Sequence, residues 1–374
     1  MATGTSAGLL EEEAIQSFLK HRVLGRYTIA FTQKLARSAP VTLVDGYAGN
    51  GRDKSGKPGS AELLLMAAAA APSGSTQVEL VEKDDKTRSE LLQVVGHYPS
   101  SLARVSGGTV ESNLPEILSR AQRRALFLFL DPCGAGLTFQ QVCLLAQRAP
   151  SWPPTEILLN FNGDLGRRVA ANAITRETSS VLDMVCGSWW RESIQRGRSK
   201  STASWETALH ELVYDYVEQL AAAIPDSSVM AIPVRKRPTG QPVFYLVHIT
   251  RSPHGTWVMS DAVARSMREW RSESEVLDLK GQASLFEPVD VLADYQDARE
   301  RIARNLTTIS QGPSAGLELR LVASQVLDGA IGVLSDTEIN QIARDLNDAQ
   351  VLRLAKKGKG TRTYAVYPVA ATGI

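Results

Sequence analysis

The sequence predicts an α/β protein built on a doubly wound sheet of seven strands, and three observations carry this prediction. Short apolar runs alternate with helical patterns through the first two thirds of the chain. Continuous runs of this kind, bounded by turns, are typical of strands buried on both faces of a parallel sheet. The last two runs are separated only by RKRPTGQP (residues 235–242), so they must pair antiparallel. We therefore expect a parallel sheet with an antiparallel last strand.

The predicted strands are runs of mainly aliphatic and aromatic residues. They cover Val41–Val44, Gln77–Val81, Ala103–Ser106, Leu126–Leu130, Glu156–Leu159, Val229–Val234 and Val243–Ile249. Helical patterns separate the first five strands. These helices are predicted over residues 61–71, 86–95, 114–122 and 139–148. A helix over residues 11–37 is expected before the first strand. Residues from about 165 to 225 are expected to be an insertion, in which Ser204 caps a helix with a regular apolar stripe.

The chain has 374 residues, which is too long for one ordinary core, so we expect two domains. Residues 1–276 are predicted to form the α/β domain, and residues 277–288 lack periodicity and are interpreted as a linker. In residues 289–374, amphipathic helices over 289–306 and 317–327 precede a third helix in TEINQIARDL. Two short strands then flank a basic Lys/Gly turn in VLRLAKKGKGTRTYAVYP. Three helices followed by a basic β-hairpin predict a winged helix.

The composition excludes several classes of protein. Forty-one Lys+Arg against forty Asp+Glu give a net charge of +1, so nucleic-acid binding would depend on local basic patches. Cys133, Cys143 and Cys186 are too few for a disulfide framework or a four-thiolate metal site, and we expect no bound metal and a cytoplasmic location. No apolar run approaches about 20 residues, and the acidic N-terminus is unlike a signal peptide, so no membrane association is expected.

The motif VDGYAGNG (residues 44–51) is the strongest chemical signal. It differs from the Gly-rich loops that cradle a pyrophosphate or a triphosphate. An acidic residue at a strand end, followed by small residues, suits a ligand that carries positive charge near the turn, such as S-adenosylmethionine. A Gly-rich turn with no ligand is the alternative. The residues predicted to bind this cofactor are Asp45, Gly46, Tyr47, Ala48, Gly49 and Gly51.

Two further acidic residues follow predicted strands. Glu82 ends the second strand, where an open α/β sheet can offer a carboxylate to ribose hydroxyls, although a solvated strand-end Glu is equally common. DPCG (residues 131–134) follows the fourth strand. The carboxylate of Asp131 and the carbonyl of Pro132 could accept hydrogen bonds from an exocyclic amine, although Asp-Pro is also an ordinary turn. Taken together, the turn motif and DPCG predict an S-adenosylmethionine-dependent methyltransferase of the seven-stranded, Rossmann-like type.

The chain also resembles the three-Cys-motif partner protein (TcmP) family. The blocks that carry the resemblance, between residues 20 and 259, are KHRVLGRYTIAF, VDGYAGNGRDKSGKPGSAELLL, ELVEKD, FLFLDPCG and FYLVHITRSPHGTWVM. The resemblance implies a class I methyltransferase-like domain encoded beside a radical-S-adenosylmethionine-like protein with three cysteines. It assigns the methionine portion to Asp45–Gly51, the ribose to Glu82, and the methyl acceptor to Asp131, Pro132, Cys133 and Gly134.

Two residues depart from the pattern that the resemblance implies. Cys133 replaces the aromatic residue of a DPFG motif, which could stack on a base. The segment after the third strand lacks the expected acid, so Thr109 is the nearest polar substitute for contact with adenine. By analogy, DPFG is also similar to the acceptor motif of tRNA guanine-N2 methyltransferases.

Three basic stretches, residues 196–200, 235–237 and 356–362, support nucleic-acid binding, although basic loops are commonly just solvated, and the candidate residues come from the last two. They are Arg235, Lys236, Arg237, Lys356, Lys357, Lys359 and Arg362. We therefore predict a methyltransferase that acts on an exocyclic amine of a nucleic-acid base. The alternatives are a catalytically degenerate cofactor-binding module that docks on a three-Cys partner, and a winged-helix DNA-binding regulator.

Overall fold

The computed structural model of the chain describes eight stretches of sequence. They are residues 6–53, 56–132, 136–161, 176–199, 205–235, 242–280, 289–357 and 364–369. The described residues form two compact units, and the chain passes from the first to the second between Arg251 and Ser252. Residues 252–276, which the sequence analysis placed in the α/β domain, therefore group with the C-terminal unit.

The first unit contains a seven-stranded sheet. Its strands are β1 (Val41–Asp45), β2 (Thr76–Glu82), β3 (Ala103–Gly107), β4 (Ala125–Leu130), β5 (Thr155–Phe161), β6 (Ser228–Arg235) and β7 (Pro242–Thr250). The strand order is β3-β2-β1-β4-β5-β7-β6. The pairs among β1 to β5 are parallel, whereas β7 runs antiparallel to both of its neighbours. All seven predicted strands and the antiparallel last strand are confirmed.

Helices flank the first five strands. They are α1 (Ser6–Leu35), α2 (Ser60–Ala69), α3 (Asp85–Val95), α4 (Val110–Arg120) and α5 (Phe139–Ala146). Asp84 caps α3 through the N–H of Thr87, and Thr138 with Gln141 closes a capping box on α5. These side chains satisfy backbone N–H groups that the first turn of a helix leaves without partners.

The N-terminal helix α1 packs on the sheet through a buried apolar face. Tyr27 is fully buried, and its ring lies 5.5 Å from the ring of Phe127 on β4 and 5.1 Å from the ring of His248 on β7. Phe31 adds a second contact with Phe127 at 5.8 Å. Burial of aromatic side chains is a large stabilising contribution, so this face fixes the position of α1.

The insertion between β5 and β6 is helical over its described residues. It contains α6 (Arg176–Val185), α7 (Trp190–Ser199) and α8 (Trp205–Ala223). Only the last of these was predicted from the sequence. Trp190 is buried and donates its indole N–H to Asp183, so it packs inward rather than presenting a stacking surface. Tyr216 of α8 lies in an aromatic cluster with Phe139 and Phe161.

The C-terminal unit has its own apolar core. Its helices are α9 (Pro253–Lys280), α10 (Val289–Gln311), α11 (Ala323–Val326) and α12 (Asp336–Asp348). A 3₁₀ turn at Leu319–Val322 precedes α11. Strand β8 (Arg353–Lys356) pairs antiparallel with β9 (Tyr364–Tyr367). The helix predicted over 317–327 is thus two short pieces. Residues 277–280 of the predicted linker belong to α9, and residues 281–288 lie outside the described residues. The winged-helix assignment stays a prediction. None of the described helices is long and apolar enough to cross a membrane.

Candidate active site

Three predicted acidic residues meet at the carboxyl edge of the parallel strands. Asp45 ends β1 and lies beside Phe129 of β4, and Asp131 comes two residues later at the same edge. Glu82 ends the neighbouring strand β2. Parallel strands with a shared register bring their carboxyl ends together, and this is where open α/β sheets bind ligands. Asp45 and Asp131 therefore lie at the same edge of the sheet.

Asp45 is a fully buried carboxyl group with an unused hydrogen-bond acceptor. Its Oδ1 accepts the backbone N–H of Tyr47 at 3.0 Å, whereas its Oδ2 is buried without a hydrogen-bond partner. Burial raises the pKa of Asp45 to about 6, whereas the nearby hydroxyl of Ser60 and the N–H of Tyr47 act in the opposite direction. An oxygen left without a partner in this way is costly, and it indicates a place where a donor or a cation binds.

The structure gives a different reason for glycine at each of the three glycine positions of the turn. A Cβ at Gly46 would approach side-chain atoms of Leu130 and Val110 to 2.9 Å, so this position needs close packing. Gly51 has a φ of +86°, and a Cβ there would meet Leu91 at 3.1 Å. Gly49 also has a positive φ, +57°, but a Cβ there would have no neighbour within 4 Å. The turn therefore presents open space beside the backbone of Gly49, which a ligand can approach.

Glu82 joins the turns that follow β1 and β2. Its Oε2 accepts the N–H of Gly49 at 2.9 Å, and its Oε1 accepts the N–H of Asp84 at 2.8 Å. Each carboxylate oxygen keeps a second lone pair, so the group can also accept from a ligand hydroxyl. Ala48 is buried, and its N–H bonds the carbonyl of Val81, which fixes the turn to β2.

Thr109 follows β3 at the same edge of the sheet. Its hydroxyl caps α4 by accepting the N–H of Ser112 at 3.3 Å. Capping is therefore the role of its side chain in this structure. A contact of Thr109 with adenine stays a prediction.

Asp131 is held by two side chains that the sequence analysis did not identify. Its Oδ2 accepts Lys20 Nζ at 2.6 Å, and its Oδ1 accepts Asn160 Nδ2 at 2.5 Å. Lys20 belongs to α1, and Asn160 lies near the end of β5. Pro132 is buried, whereas Cys133 and Gly134 lie outside the described residues.

His21 follows Lys20 on α1 and lies near the same acidic group. Burial lowers the pKa of His21 to about 4, and the ammonium of Lys20 lowers it further, whereas Asp131 and Asp53 act in the opposite direction. The imidazole is therefore neutral at pH 7. A polar residue at the end of a buried strand was a signal for Asn160. Lys20 and His21 begin the block KHRVLGRYTIAF, but no spacing pattern assigns a role to either of them.

The predicted nucleic-acid residues are described only in part. Arg235 ends β6, and Lys356 and Lys357 are exposed at the end of β8. Lys357 Nζ lies 5.9 Å from the ring centre of Tyr367. The remaining candidates, Lys236, Arg237, Lys359 and Arg362, lie outside the described residues. Among the described residues, no group of three His, Cys, Asp or Glu side chains could hold a metal ion.

Comparisons with known proteins give structural matches only. No family model matches the chain, and no curated protein matches it. The plantazolicin methyltransferase BpumL in complex with SAH is 8% identical, with coverage of 64% of this chain and 87% of that chain and a TM-score of 0.34. The O-methyltransferase TomG from Streptomyces achromogenes in complex with SAM is 11% identical, with coverage of 60% and 78% and a TM-score of 0.32. LPL1258 from Legionella pneumophila is 12% identical, with coverage of 71% and 91% and a TM-score of 0.38.

Structural similarity with TM-scores this low does not indicate the activity of this chain. The strand order of the first unit, with its single antiparallel strand and surrounding helices, fits a Rossmann-like methyltransferase fold. The resemblance to the TcmP family stays a prediction.

Proposed function

We propose that the chain is an S-adenosylmethionine-dependent methyltransferase. The observation that carries the proposal is the orphaned, buried Oδ2 of Asp45 at a Gly-rich turn, on the same sheet edge as Asp131. A cationic ligand at this turn would satisfy that oxygen and would also favour the ionised form of a carboxyl group that burial now disfavours.

The residues of the turn fit this cofactor. Asp45 offers a carboxylate to its positive charge, Glu82 has lone pairs available for ribose hydroxyls, and the open side of Gly49 allows close approach. S-adenosylmethionine, when bound, supplies a methyl group on a positively charged sulfur. The chain's own contribution is to bind and align the two reactants, which can account for a large part of a rate enhancement.

Asp131 and the carbonyl of Pro132 are proposed to orient the acceptor. The acceptor is proposed to be an exocyclic amine of a nucleic-acid base, since its N–H groups match the acceptor oxygens of these two residues. The exposed cations at Lys356 and Lys357 support nucleic acid as the partner of the C-terminal unit. A three-Cys radical-S-adenosylmethionine-like protein is proposed as a second partner on the resemblance alone.

Calorimetry of S-adenosylmethionine and S-adenosylhomocysteine with the full chain tests cofactor binding. Binding in the micromolar range, weakened at least tenfold in Asp45→Asn, is expected. If wild-type protein binds neither ligand at high micromolar concentration, the proposal is wrong.

Transfer of a labelled methyl group to total RNA and DNA tests the acceptor. Asp131→Ala should lose transfer, while Asp85→Ala, on the exposed start of α3, should retain it. Label incorporated equally by wild type and Asp131→Ala would contradict the role of Asp131.

One observation favours a second candidate function, a cofactor-binding module that docks on a partner without catalysis. Both oxygens of Asp131 already accept hydrogen bonds from the chain itself. Cofactor binding without methyl transfer to any nucleic acid would support this candidate.

A further inference from the structure

We propose that Lys20 occupies the methyl-acceptor position of its own active site, and that the acceptor must displace its ammonium group from Asp131. This inference rests on the proposed function, because it deepens the acceptor site described there. It assigns to Lys20 a role as a positioning and specificity residue.

The contact that Lys20 makes is the contact expected of the acceptor. An exocyclic amine at this site would donate N–H to the carboxylate of Asp131, and Lys20 Nζ donates to Oδ2 of that carboxylate at 2.6 Å. The pair is partly open, with side-chain exposures of 14% for Lys20 and 21% for Asp131. Asn160 holds the other oxygen and orients the carboxylate. The ammonium is thus the exchangeable donor of the two.

Anchoring α1 does not require this ion pair. The same helix buries Leu19, Val23, Leu24, Tyr27 and Phe31 at 4% exposure or less. The burial of several apolar side chains stabilises the position of a helix more than one partly exposed ion pair does. A stabilising role alone therefore leaves the placement of a lysine at the acceptor carboxylate unexplained.

The position of Lys20 also limits the charge of the acceptor. Its ammonium neutralises Asp131 and lowers the pKa of Asp45, so it acts on two of the three acidic groups at this edge of the sheet. An acceptor that arrives as a cation would be repelled by this positive charge. The acceptor class that fits is an uncharged N–H donor, such as an aromatic exocyclic amine or an amide, rather than a protonated alkyl amine.

Three ligands that differ in charge at the reacting centre test the proposal without a known acceptor. They are S-adenosylhomocysteine, which is neutral there, S-adenosylmethionine, and sinefungin, which carries an ammonium group in place of the methylsulfonium. We compare their dissociation constants for wild type, Lys20→Met, Lys20→Arg and Asp131→Asn by calorimetry.

The readout is the dissociation constant of S-adenosylhomocysteine divided by the dissociation constant of sinefungin. Removal of the Lys20 charge exposes Asp131, so Lys20→Met should raise this ratio about five- to tenfold. Lys20→Arg should keep the wild-type ratio, because it keeps the charge, and Asp131→Asn should lower the ratio. Lys20→Gln replaces Lys20→Met if that variant does not fold, as judged by urea unfolding.

Two failures can be told apart. Unchanged ratios in Lys20→Met or Lys20→Gln, with S-adenosylhomocysteine still bound, would overturn the role of Lys20 and leave the proposed function intact. Absence of binding of all three ligands to wild type would overturn the proposed function and this inference together.

Discussion

At the scale of single residues, Asp45 shows a conflict between stability and function. A carboxyl group that is fully buried, with one oxygen unpartnered, costs free energy in the ligand-free fold. Sites that bind charged ligands often keep such a cost, because the ligand compensates for it. Replacement of the carboxylate should therefore affect stability and binding in opposite directions.

The first prediction is a pH-dependent stability difference between wild type and Asp45→Asn. The pKa of Asp45 is raised from 3.8 to about 6 in the folded chain, so the native state binds more protons than the unfolded state between those values. Stability from this group is therefore present below about pH 4 and is lost as the pH rises through about 6. Relative to Asp45→Asn, wild type should lose about 2–2.5 kcal/mol between pH 4 and pH 8.

Urea unfolding of both proteins across that range measures the difference. Asn keeps an Oδ1 for the N–H of Tyr47, so the turn is retained. Unfolding free energies that stay parallel for the two proteins from pH 4 to pH 8 would contradict the prediction.

The second prediction compares two glycines of the turn. Gly51→Ala should lower the free energy of unfolding by about 2–3 kcal/mol, because a Cβ at φ +86° would also press on Leu91 and Val94. Gly49→Ala should cost only about 1–2 kcal/mol, since the space beside it is open. When the two variants are compared at temperatures that give them the same free energy of unfolding, only Gly49→Ala should weaken cofactor binding. Calorimetry and urea unfolding check both, and stronger binding loss in Gly51→Ala would reverse the assignment.

The acidic residues of the site could be predicted from the sequence, whereas their partners could not. Asp45, Glu82 and Asp131 each follow a readable apolar strand, and parallel strands bring such positions to one edge. Lys20 and Asp131 are 111 residues apart, and only the packing of α1 brings them into contact. Lys20 and His21 begin a block that the sequence analysis noted, but no local pattern predicts that this block packs beside Asp131.

At the scale of elements, the position of α1 decides where Lys20 lies. Tyr27 forms ring contacts with Phe31, Phe127 and His248, which join this helix to β4 and β7. The same face therefore anchors the helix and sets the geometry of the cleft.

The third prediction concerns this anchor. Tyr27→Ala should lower the free energy of unfolding by about 3–5 kcal/mol, because it leaves a cavity at a fully buried position. Ile29→Ala, on the exposed side of the same helix, should change it by less than about 0.5 kcal/mol. Urea unfolding measures both. Equal effects of the two substitutions would show that α1 is not held by its apolar face.

Element type was predictable where the apolar pattern was strong. All seven strands of the sheet were predicted, although the apolar pattern of β3, with the sequence ARVSG, is weak. Two helices of the insertion, α6 and α7, were not predicted, although both are amphipathic and ten residues long. Helix α9 begins at Pro253, and proline is common at the first position of a helix. The hydroxyl of the preceding residue, Ser252, accepts the N–H of Gly255.

At the scale of the whole molecule, the distribution of charge limits how a polyanion could bind. The net charge is +1, so long-range attraction is weak. In the C-terminal unit, α12 carries four carboxylates against one arginine, whereas the end of β8 carries Lys356 and Lys357. Because α12 carries net negative charge, it is poorly suited to bind in a groove of a nucleic acid. Phosphate contact in this unit is therefore expected at the hairpin rather than at α12.

The fourth prediction follows from this distribution. Binding to RNA or DNA should weaken with salt, and the slope of log affinity against log salt should fall by about 1 for Lys356→Ala and again for Lys357→Ala. Lys86→Ala, an exposed lysine on α3, should leave the slope unchanged. Fluorescence anisotropy at several salt concentrations measures the three slopes. If both hairpin variants keep the wild-type slope, the exposed cations of β8 do not contact phosphate, and the C-terminal unit is better explained as a docking surface for a protein partner.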